Sequence, residues 1–194
     1  MSTLTSLPNL LTLMRIVLIP VFIIAFYLPF SWAHGIAAAI FALASFTDWL
    51  DGYLARKLKQ MSPFGAFLDP VADKLLVACS LLLLVGAKEM DYITIPAIII
   101  VGREIVISAL REWMAEIGSR ASVTVSYIGK IKTTLQMFAL FLLVAFTPSQ
   151  SGWGVLGFIL LYLAAILTIW SMIMYLTIAW PQLMNKHPVS SSTS

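Results

Sequence analysis

Charge and cysteine are both scarce in this chain of 194 residues, and each scarcity excludes a class of protein. Charged residues make up only 11% of the sequence, whereas a soluble globular domain carries about 25%. Hydrophobic residues make up 60%, and the mean hydropathy is +0.95. Cys79 is the single cysteine, which excludes an internal disulfide and a cysteine-rich zinc site. The composition therefore predicts a membrane protein.

Six apolar segments predict an all-α fold in which six transmembrane helices form one bundle. A helix needs about 20 apolar residues to span a bilayer. The segments are residues 10–28, 32–50, 66–87, 92–110, 131–146 and 153–179. An even number of spans places both termini on one side. We expect residues 1–188 to form this membrane domain and residues 189–194 to be a short disordered tail.

The basic residues orient the predicted bundle. Lysine and arginine are concentrated in the links after the second and fourth segments and after the sixth: Arg56, Lys57, Lys59, Arg111, Arg120, Lys130, Lys132 and Lys186. Such residues favour the cytoplasmic side of a membrane. The start of the chain lacks the basic residues and cleavage site of a secretory signal. We therefore expect a multi-pass protein of the cytoplasmic (inner) membrane, with both termini in the cytoplasm.

Two pairs of aspartates interrupt this apolar pattern. Asp48 and Asp51 fall at the end of the second segment, and Asp69 and Asp73 at the start of the third. Residues three or four apart share one helix face, and the connector over residues 52–65 lets the two helix ends meet. A carboxylate at the centre of a membrane helix costs roughly 2.5 kcal/mol or more. Four of them therefore predict a cation or a wet cavity at the cytoplasmic face.

Carboxylate oxygens without histidine or cysteine nearby favour magnesium or manganese over zinc. Arg56 adds donors suited to a phosphate. Carboxylates, divalent metals and an arginine are the parts expected of phosphoryl transfer. An alternative stays open for each aspartate, which could be a solvated helix cap or the partner of an ion pair. The spacing of all four together favours the functional interpretation.

The aspartate region resembles the signature of the CDP-alcohol phosphotransferases. The residues that match are Asp48, Asp51, Gly52, Ala55, Arg56, Gly65, Asp69 and Asp73, at the spacing of that signature. The resemblance implies a six-helix membrane fold, commonly a homodimer, in which an alcohol displaces CMP from a CDP-linked substrate. It also implies that Asp48, Asp51, Asp69 and Asp73 hold two divalent ions, Mg²⁺ or Mn²⁺. Asp73 would in addition be the general base.

The resemblance extends to both sides of this signature. Residues 8–15 are similar to the opening of bacterial members, which implies that Asn9 and Thr12 help to hold the cytidine nucleotide. Gly52, Arg56 and Ser62 match positions that contact CDP-diacylglycerol. The lipid tails of such a substrate would stay in the bilayer and enter the site sideways between helices.

Residues 102–112 and 129–136 are similar to the phosphatidylglycerophosphate synthases within this family. Arg103 lies about 12 Å of helix inside the end marked by Arg111, a depth at which a charge should face a cavity. Together with Lys130 and Lys132, these residues predict a pocket for the phosphate of glycerol 3-phosphate. The alternative is that Arg111, Lys130 and Lys132 only set the topology or anchor lipid headgroups.

The resemblance thus implies transfer of a phosphatidyl group from CDP-diacylglycerol to the sn-1 hydroxyl of glycerol 3-phosphate. Two alternatives stay open. Another acceptor, such as inositol phosphate, serine or phosphatidylglycerol, could replace glycerol 3-phosphate. The acids could instead line the path of a cation transporter, but that interpretation predicts acids along the whole membrane depth, and inverted repeats. No nucleic-acid partner is expected.

Overall fold

The computed structural model describes residues 7–58, 62–87, 90–116, 127–146 and 151–184. Within these ranges it contains helices and no strand, which confirms the all-α prediction. The six α-helices are α1 (Leu7–Phe26), α2 (Ala33–Leu58), α3 (Pro63–Gly86), α4 (Thr94–Glu116), α5 (Tyr127–Ala145) and α6 (Gly152–Met184). A short 3₁₀ turn, Asp91–Ile93, leads into α4. The predicted tail over residues 189–194 lies outside the described residues.

The predicted connector over residues 52–65 is wrong for most of its length. Helix α2 continues to Leu58, and α3 already begins at Pro63. The hydropathy pattern ends near Leu50, but leucine, alanine, arginine and lysine over residues 54–58 are strong helix formers, so the backbone remains helical. Both aspartate pairs consequently lie inside helices and have fixed directions.

The start of α3 is held by Ser62 and Pro63. The Ser62 hydroxyl accepts a hydrogen bond from the backbone N–H of Gly65 (3.0 Å) and so caps the helix. Pro63 occupies the first turn, where its missing N–H would have had no helical partner. This start fixes the register of α3 and therefore the direction of Asp69 and Asp73.

In the part of the chain that the structure describes, three helices contain stretches long and apolar enough to cross a membrane: Asn9–Phe26, Ala33–Leu54 and Gly152–Thr177. Helix α5 contributes the shorter apolar stretch Ile131–Ala145, and α3 and α4 contain several charged residues. Large apolar side chains on the outer faces are exposed, for example Leu82 (69%) and Ile98 (67%). The chain is a polytopic membrane protein, and for α3, α4 and α5 a complete crossing stays a prediction.

The main core contains side chains from all six helices. Phe22, Phe41, Leu81, Ile100 and Leu140 are fully buried in it, with Leu161 of α6. Helix α1 packs on α2 and α3, α2 packs on α5, and α6 packs on α4 and α5. This arrangement places α1, α2 and α3 around the aspartates and gathers α3, α4, α5 and α6 around a second region.

A second, smaller core joins α4 and α6. Ile107 and Met114 of α4 pack against Tyr175 and Ala179 of α6. Tyr175 is thereby held against the part of α4 that carries Arg103 and Arg111, and both guanidinium groups lie 5.8 Å from its ring centroid. The packing orients these two arginines towards a common space.

Candidate active site

Arg15 of α1 joins the first aspartate pair. Its side chain is fully buried, and its guanidinium donates to Asp48 Oδ1 (2.5 Å) and to Asp51 Oδ2. Asp48 and Asp51 are three residues apart on α2, so one planar guanidinium reaches both carboxylates, as the shared-face prediction requires. Asp51 is almost completely buried, and Asp48 keeps 45% of its side chain exposed.

Thr12 lies close to one turn before Arg15 and links the two aspartate pairs. Its hydroxyl oxygen lies 2.5 Å from Asp69 Oδ1 and 3.3 Å from Asp51 Oδ2. Thr12 is itself 1% exposed. Three aspartates, from α2 and α3, are therefore gathered on one face of α1.

Asn9 lies one turn further towards the start of α1 and contacts the beginning of α3. The Ser62 hydroxyl donates to Asn9 Oδ1 (2.9 Å) while it caps α3. A Cβ at Gly65 would lie 2.5 Å from Asn9 Oδ1, so any larger residue would push Asn9 away. Of the predicted CDP-diacylglycerol residues, Thr12 therefore contacts the aspartates, and Asn9 and Ser62 contact each other where α1 meets the start of α3. Gly52 directly follows Asp51 on α2, and the Arg56 side chain lies outside the described residues.

Asp73 lies one turn after Asp69 on α3 and borders two open spaces. The first is a groove of about 480 Å³ between α2 and α5, which is mostly apolar and also contains Asp48. The second is a polar cavity of about 220 Å³ enclosed by α3, α4, α5 and α6. Thr133 of α5 lines both spaces together with Asp73. Asp73 therefore lies at the junction of an apolar groove and a charged cavity.

The polar cavity contains three of the four cations that the sequence assigns to the acceptor: Arg103, Arg111 and Lys132. The Lys130 side chain lies outside the described residues. With Lys74 of α3, basic residues outnumber acidic residues in the cavity lining by four to two. An excess of positive charge in a partly enclosed space favours an anion.

Glu104 arranges these cations. Its Oε1 accepts from Arg103 Nη1 (2.8 Å) and lies 3.5 Å from Lys132 Nζ. Lys74 Nζ donates to Ser108 Oγ (2.5 Å), whose own hydroxyl donates to the Glu104 carbonyl. Arg103 Nε is buried and has no hydrogen-bond partner among the described residues. The cavity thus holds cationic donors in place, and part of their hydrogen-bonding capacity is not used by the described residues.

The aspartates fit divalent metal by their chemistry, because all their donor atoms are hard carboxylate oxygens. In the described ranges, no three acidic, histidine or cysteine side chains converge closely enough to form a metal-ligand group. Asp48 and Asp51 are instead paired with the Arg15 cation. The residues present supply suitable ligands, and Arg15 and Thr12 hold three of them near one another.

Several residues of this region were not predicted as site residues. Arg15 appeared only within the similar opening segment, although a lone arginine in a 19-residue apolar run is itself a signal of a buried polar site. Glu104 is the acidic partner of the cavity cations. Gln136 and Tyr175 complete the lining, and nothing in the local sequence around Tyr175 distinguishes it from other aromatic residues of an apolar helix.

An all-helical membrane bundle with an aspartate centre beside a cationic cavity is the architecture expected of a lipid phosphotransferase. Residues 5–170 match the family described as CDP-alcohol phosphatidyltransferase, and the chain belongs to this family. Activity in the family generally depends on a divalent metal.

Three curated relatives share the name CDP-diacylglycerol–glycerol-3-phosphate 3-phosphatidyltransferase. The protein from Pseudomonas fluorescens is 53% identical, and the match covers 92% of each chain. The one from Yersinia enterocolitica is 54% identical over 93% of this chain and 98% of its own. The one from Pectobacterium atrosepticum is 56% identical over 90% of this chain and 94% of its own.

Proposed function

We propose that this chain transfers the phosphatidyl group of CDP-diacylglycerol to the sn-1 hydroxyl of glycerol 3-phosphate, giving phosphatidylglycerol phosphate and CMP. The reaction is the one that the names of the three relatives give. The structural observation that carries it is the position of Asp73, which borders both an apolar groove and a cationic cavity. A lipid donor and a phosphorylated acceptor need such a junction.

On the donor side, the nucleotide would bind where α1, α2 and α3 meet. Asn9, Thr12 and Ser62 line this junction with hydrogen-bonding groups, and Gly52 and Arg56 complete the proposed set. Asp48, Asp51, Asp69 and Asp73 would hold two divalent ions, Mg²⁺ or Mn²⁺, which when bound would neutralise charge on the pyrophosphate. Arg15 fixes the direction of Asp48 and Asp51 through its paired hydrogen bonds.

The acyl chains would lie in the groove between α2 and α5. This groove is lined mainly by apolar side chains, including Phe41, Met137 and Phe138, and its polar part carries Asp48 and Asp73. A lipid could therefore keep its tails in hydrocarbon while its headgroup reaches the aspartates. Entry from the side requires no opening of the bundle.

On the acceptor side, Arg103, Arg111 and Lys132 would bind the phosphate of glycerol 3-phosphate, with Lys130 near the start of the same helix α5. The sn-1 hydroxyl would then point to Asp73, whose carboxylate accepts its proton. The hydroxyl oxygen forms a bond to the phosphatidyl phosphorus as the bond from that phosphorus to the CMP oxygen breaks. CMP leaves with the electron pair of that bond.

The proposal places the site on the cytoplasmic side of the inner membrane, where basic residues concentrate. It also retains a homodimer, which rests on the family resemblance. The transporter alternative predicted acids along the whole membrane depth. In the described structure Asp48, Asp51 and Asp69 instead each contact Arg15 or Thr12, about one turn apart on α1, which favours a single reaction centre.

The test is CMP release from CDP-diacylglycerol by the purified enzyme with each acceptor in turn: glycerol 3-phosphate, inositol phosphate, serine and phosphatidylglycerol. We expect release with glycerol 3-phosphate and at most a small fraction of that rate with the other three. Preferential CMP release with another acceptor would reject glycerol 3-phosphate as the acceptor and leave the family assignment unchanged. Cation flux into proteoliposomes without CMP release from any acceptor would reject the proposed reaction in favour of the transporter alternative.

A further inference from the structure

Gln136 of α5 lines the polar cavity and carries a buried hydrogen-bond acceptor. Its side chain is 3% exposed, and it lines the cavity one helical turn after Lys132. Its Oε1 is buried and has no hydrogen-bond partner among the described residues. A buried amide oxygen without a donor destabilises a protein, so a glutamine held in this way suggests a ligand that supplies the donor.

The chemistry of the cavity limits what that ligand group is. Arg103, Arg111 and Lys132 are donors only, and they suit the phosphate of the acceptor. Asp73 is assigned to the hydroxyl that attacks. Glycerol 3-phosphate has one further polar group, the secondary hydroxyl at its central carbon, and this hydroxyl needs an acceptor. The amide oxygen of Gln136 is a hydrogen-bond acceptor in the cavity lining, and the proposed reaction assigns it no other role.

We propose that Gln136 accepts a hydrogen bond from the secondary hydroxyl of the acceptor and so selects a phosphorylated diol over a phosphorylated mono-alcohol. The inference rests on the proposed function. It adds the residue that recognises the secondary hydroxyl, on the carbon between the phosphate-bearing carbon and the carbon of the attacking hydroxyl. A site that hydrogen-bonds a substrate hydroxyl discriminates strongly against an analogue without it, because the buried partner is then left unpaired.

The probe is 3-hydroxypropyl phosphate, which keeps the phosphate and the primary hydroxyl of glycerol 3-phosphate and lacks only the secondary hydroxyl. CMP release is measured with both acceptors for the wild type and for Gln136→Leu, which removes the acceptor atom with little change in volume. A buried acceptor left unpaired costs about 1–3 kcal/mol, so we expect the wild type to prefer glycerol 3-phosphate in kcat/KM by about tenfold to hundredfold. In Gln136→Leu this preference should fall to about unity, chiefly through a loss with glycerol 3-phosphate.

Thr168→Val is the matched control. Thr168 is fully buried on α6, but its hydroxyl donates to the Ala164 carbonyl of its own helix, and it does not line the cavity. The Thr168→Val substitution also removes a buried polar oxygen, and it should leave the preference for glycerol 3-phosphate unchanged. Where Gln136→Leu does not yield folded protein, Gln136→Met, with a side chain of similar length, is measured in its place.

The outcomes separate the two proposals. A wild-type enzyme without CMP release on either phosphate would reject the proposed function. Release on both without a preference, or a preference that survives in the Gln136 variant, would reject the role of Gln136 alone. If the folded variant turns over neither acceptor, its affinities for glycerol 3-phosphate and 3-hydroxypropyl phosphate are measured by calorimetry. Equal affinities support the role of Gln136, and tighter binding of glycerol 3-phosphate overturns it.

Discussion

Asp73 is the residue at which the two halves of the site meet. It borders the groove that contains Asp48 and the cavity that contains Arg103. The other aspartates contact α1 through Arg15 or Thr12. This difference in surroundings supports the division of roles in which three carboxylates serve mainly as ligands and the fourth also accepts a proton.

Asp73→Asn should therefore fold and bind CDP-diacylglycerol but lose turnover by more than about a hundredfold, because an amide accepts no proton at neutral pH. The measurement is CMP release at saturating acceptor, with lipid binding checked separately. Glu116→Gln, which neutralises an exposed acid at the end of α4 away from both spaces, is the control. A near wild-type rate in Asp73→Asn would show that another group is the base.

The aspartate cluster also predicts dependence on divalent metal. A chelator should abolish CMP release, and Mg²⁺ or Mn²⁺ should restore it. Asp48→Ala or Asp51→Ala should raise the metal concentration required or eliminate turnover, since each removes a hard oxygen ligand. The same Glu116→Gln variant should keep the wild-type metal dependence. Full activity in excess chelator would contradict this assignment.

Arg103 is the sharpest test of the acceptor cavity. Its Nε is buried, has no hydrogen-bond partner within the described ranges, and belongs to a residue that lines the proposed phosphate cavity. Loss of a charge-assisted hydrogen bond costs about 1.5–3 kcal/mol. Arg103→Gln should accordingly raise the KM for glycerol 3-phosphate by roughly tenfold to hundredfold and leave the KM for CDP-diacylglycerol largely unchanged. Arg111→Gln and Lys132→Gln should act in the same direction. An unchanged acceptor KM in all three variants would exclude this cavity as the phosphate site.

At the scale of helices, α5 and α6 approach one another closely at Gly157. A Cβ there would lie 2.9 Å from Leu142 Cβ and 3.2 Å from the Ala139 carbonyl oxygen. Gly157 forms a contact within the chain, and this contact sets how closely α5 and α6 approach each other.

Gly157→Ala should therefore destabilise the protein, with overpacking that costs about 1–3 kcal/mol. Gly102→Ala is the matched control, because Gly102 lies inside α4 and its added Cβ would have no atom of the other described residues, apart from the local helix backbone, within 4 Å. That variant should be neutral or gain up to about 1 kcal/mol from helix propensity. Thermal unfolding in detergent measures both. Equal unfolding temperatures for the two variants would mean that the α5–α6 contact adapts without cost.

At the scale of the whole molecule, the sidedness of the bundle can be tested at its two ends. The chain has one native thiol, Cys79, which is replaced first by alanine. A cysteine is then placed either at Phe30, between α1 and α2, or at Glu116, at the end of α4; both positions are exposed. A membrane-impermeant thiol reagent should label Glu116→Cys in inside-out vesicles and Phe30→Cys in right-side-out vesicles. The reverse pattern would place the aspartates outside the cytoplasm.

The sequence alone determined the class of fold and the acidic composition of the aspartate centre. Apolar runs are local features of the sequence, and they located the six α-helices that the structure describes. The spacing of Asp48 and Asp51 fixed their common helix face, because helical geometry depends only on separation along the chain. Helix ends were less certain, as α2 shows, since hydropathy reports where the chain becomes polar and not where backbone hydrogen bonding stops.

Only the tertiary structure decided which residues meet across the bundle. Arg15 contacts Asp48 and Asp51 from 33 and 36 residues away, and the polar cavity draws its lining from four helices. No local periodicity encodes such contacts, because they depend on how ridges of one helix pack against the next. The pairing of Arg15, the role of Glu104 among the cations and the unpaired oxygen of Gln136 arise from that packing.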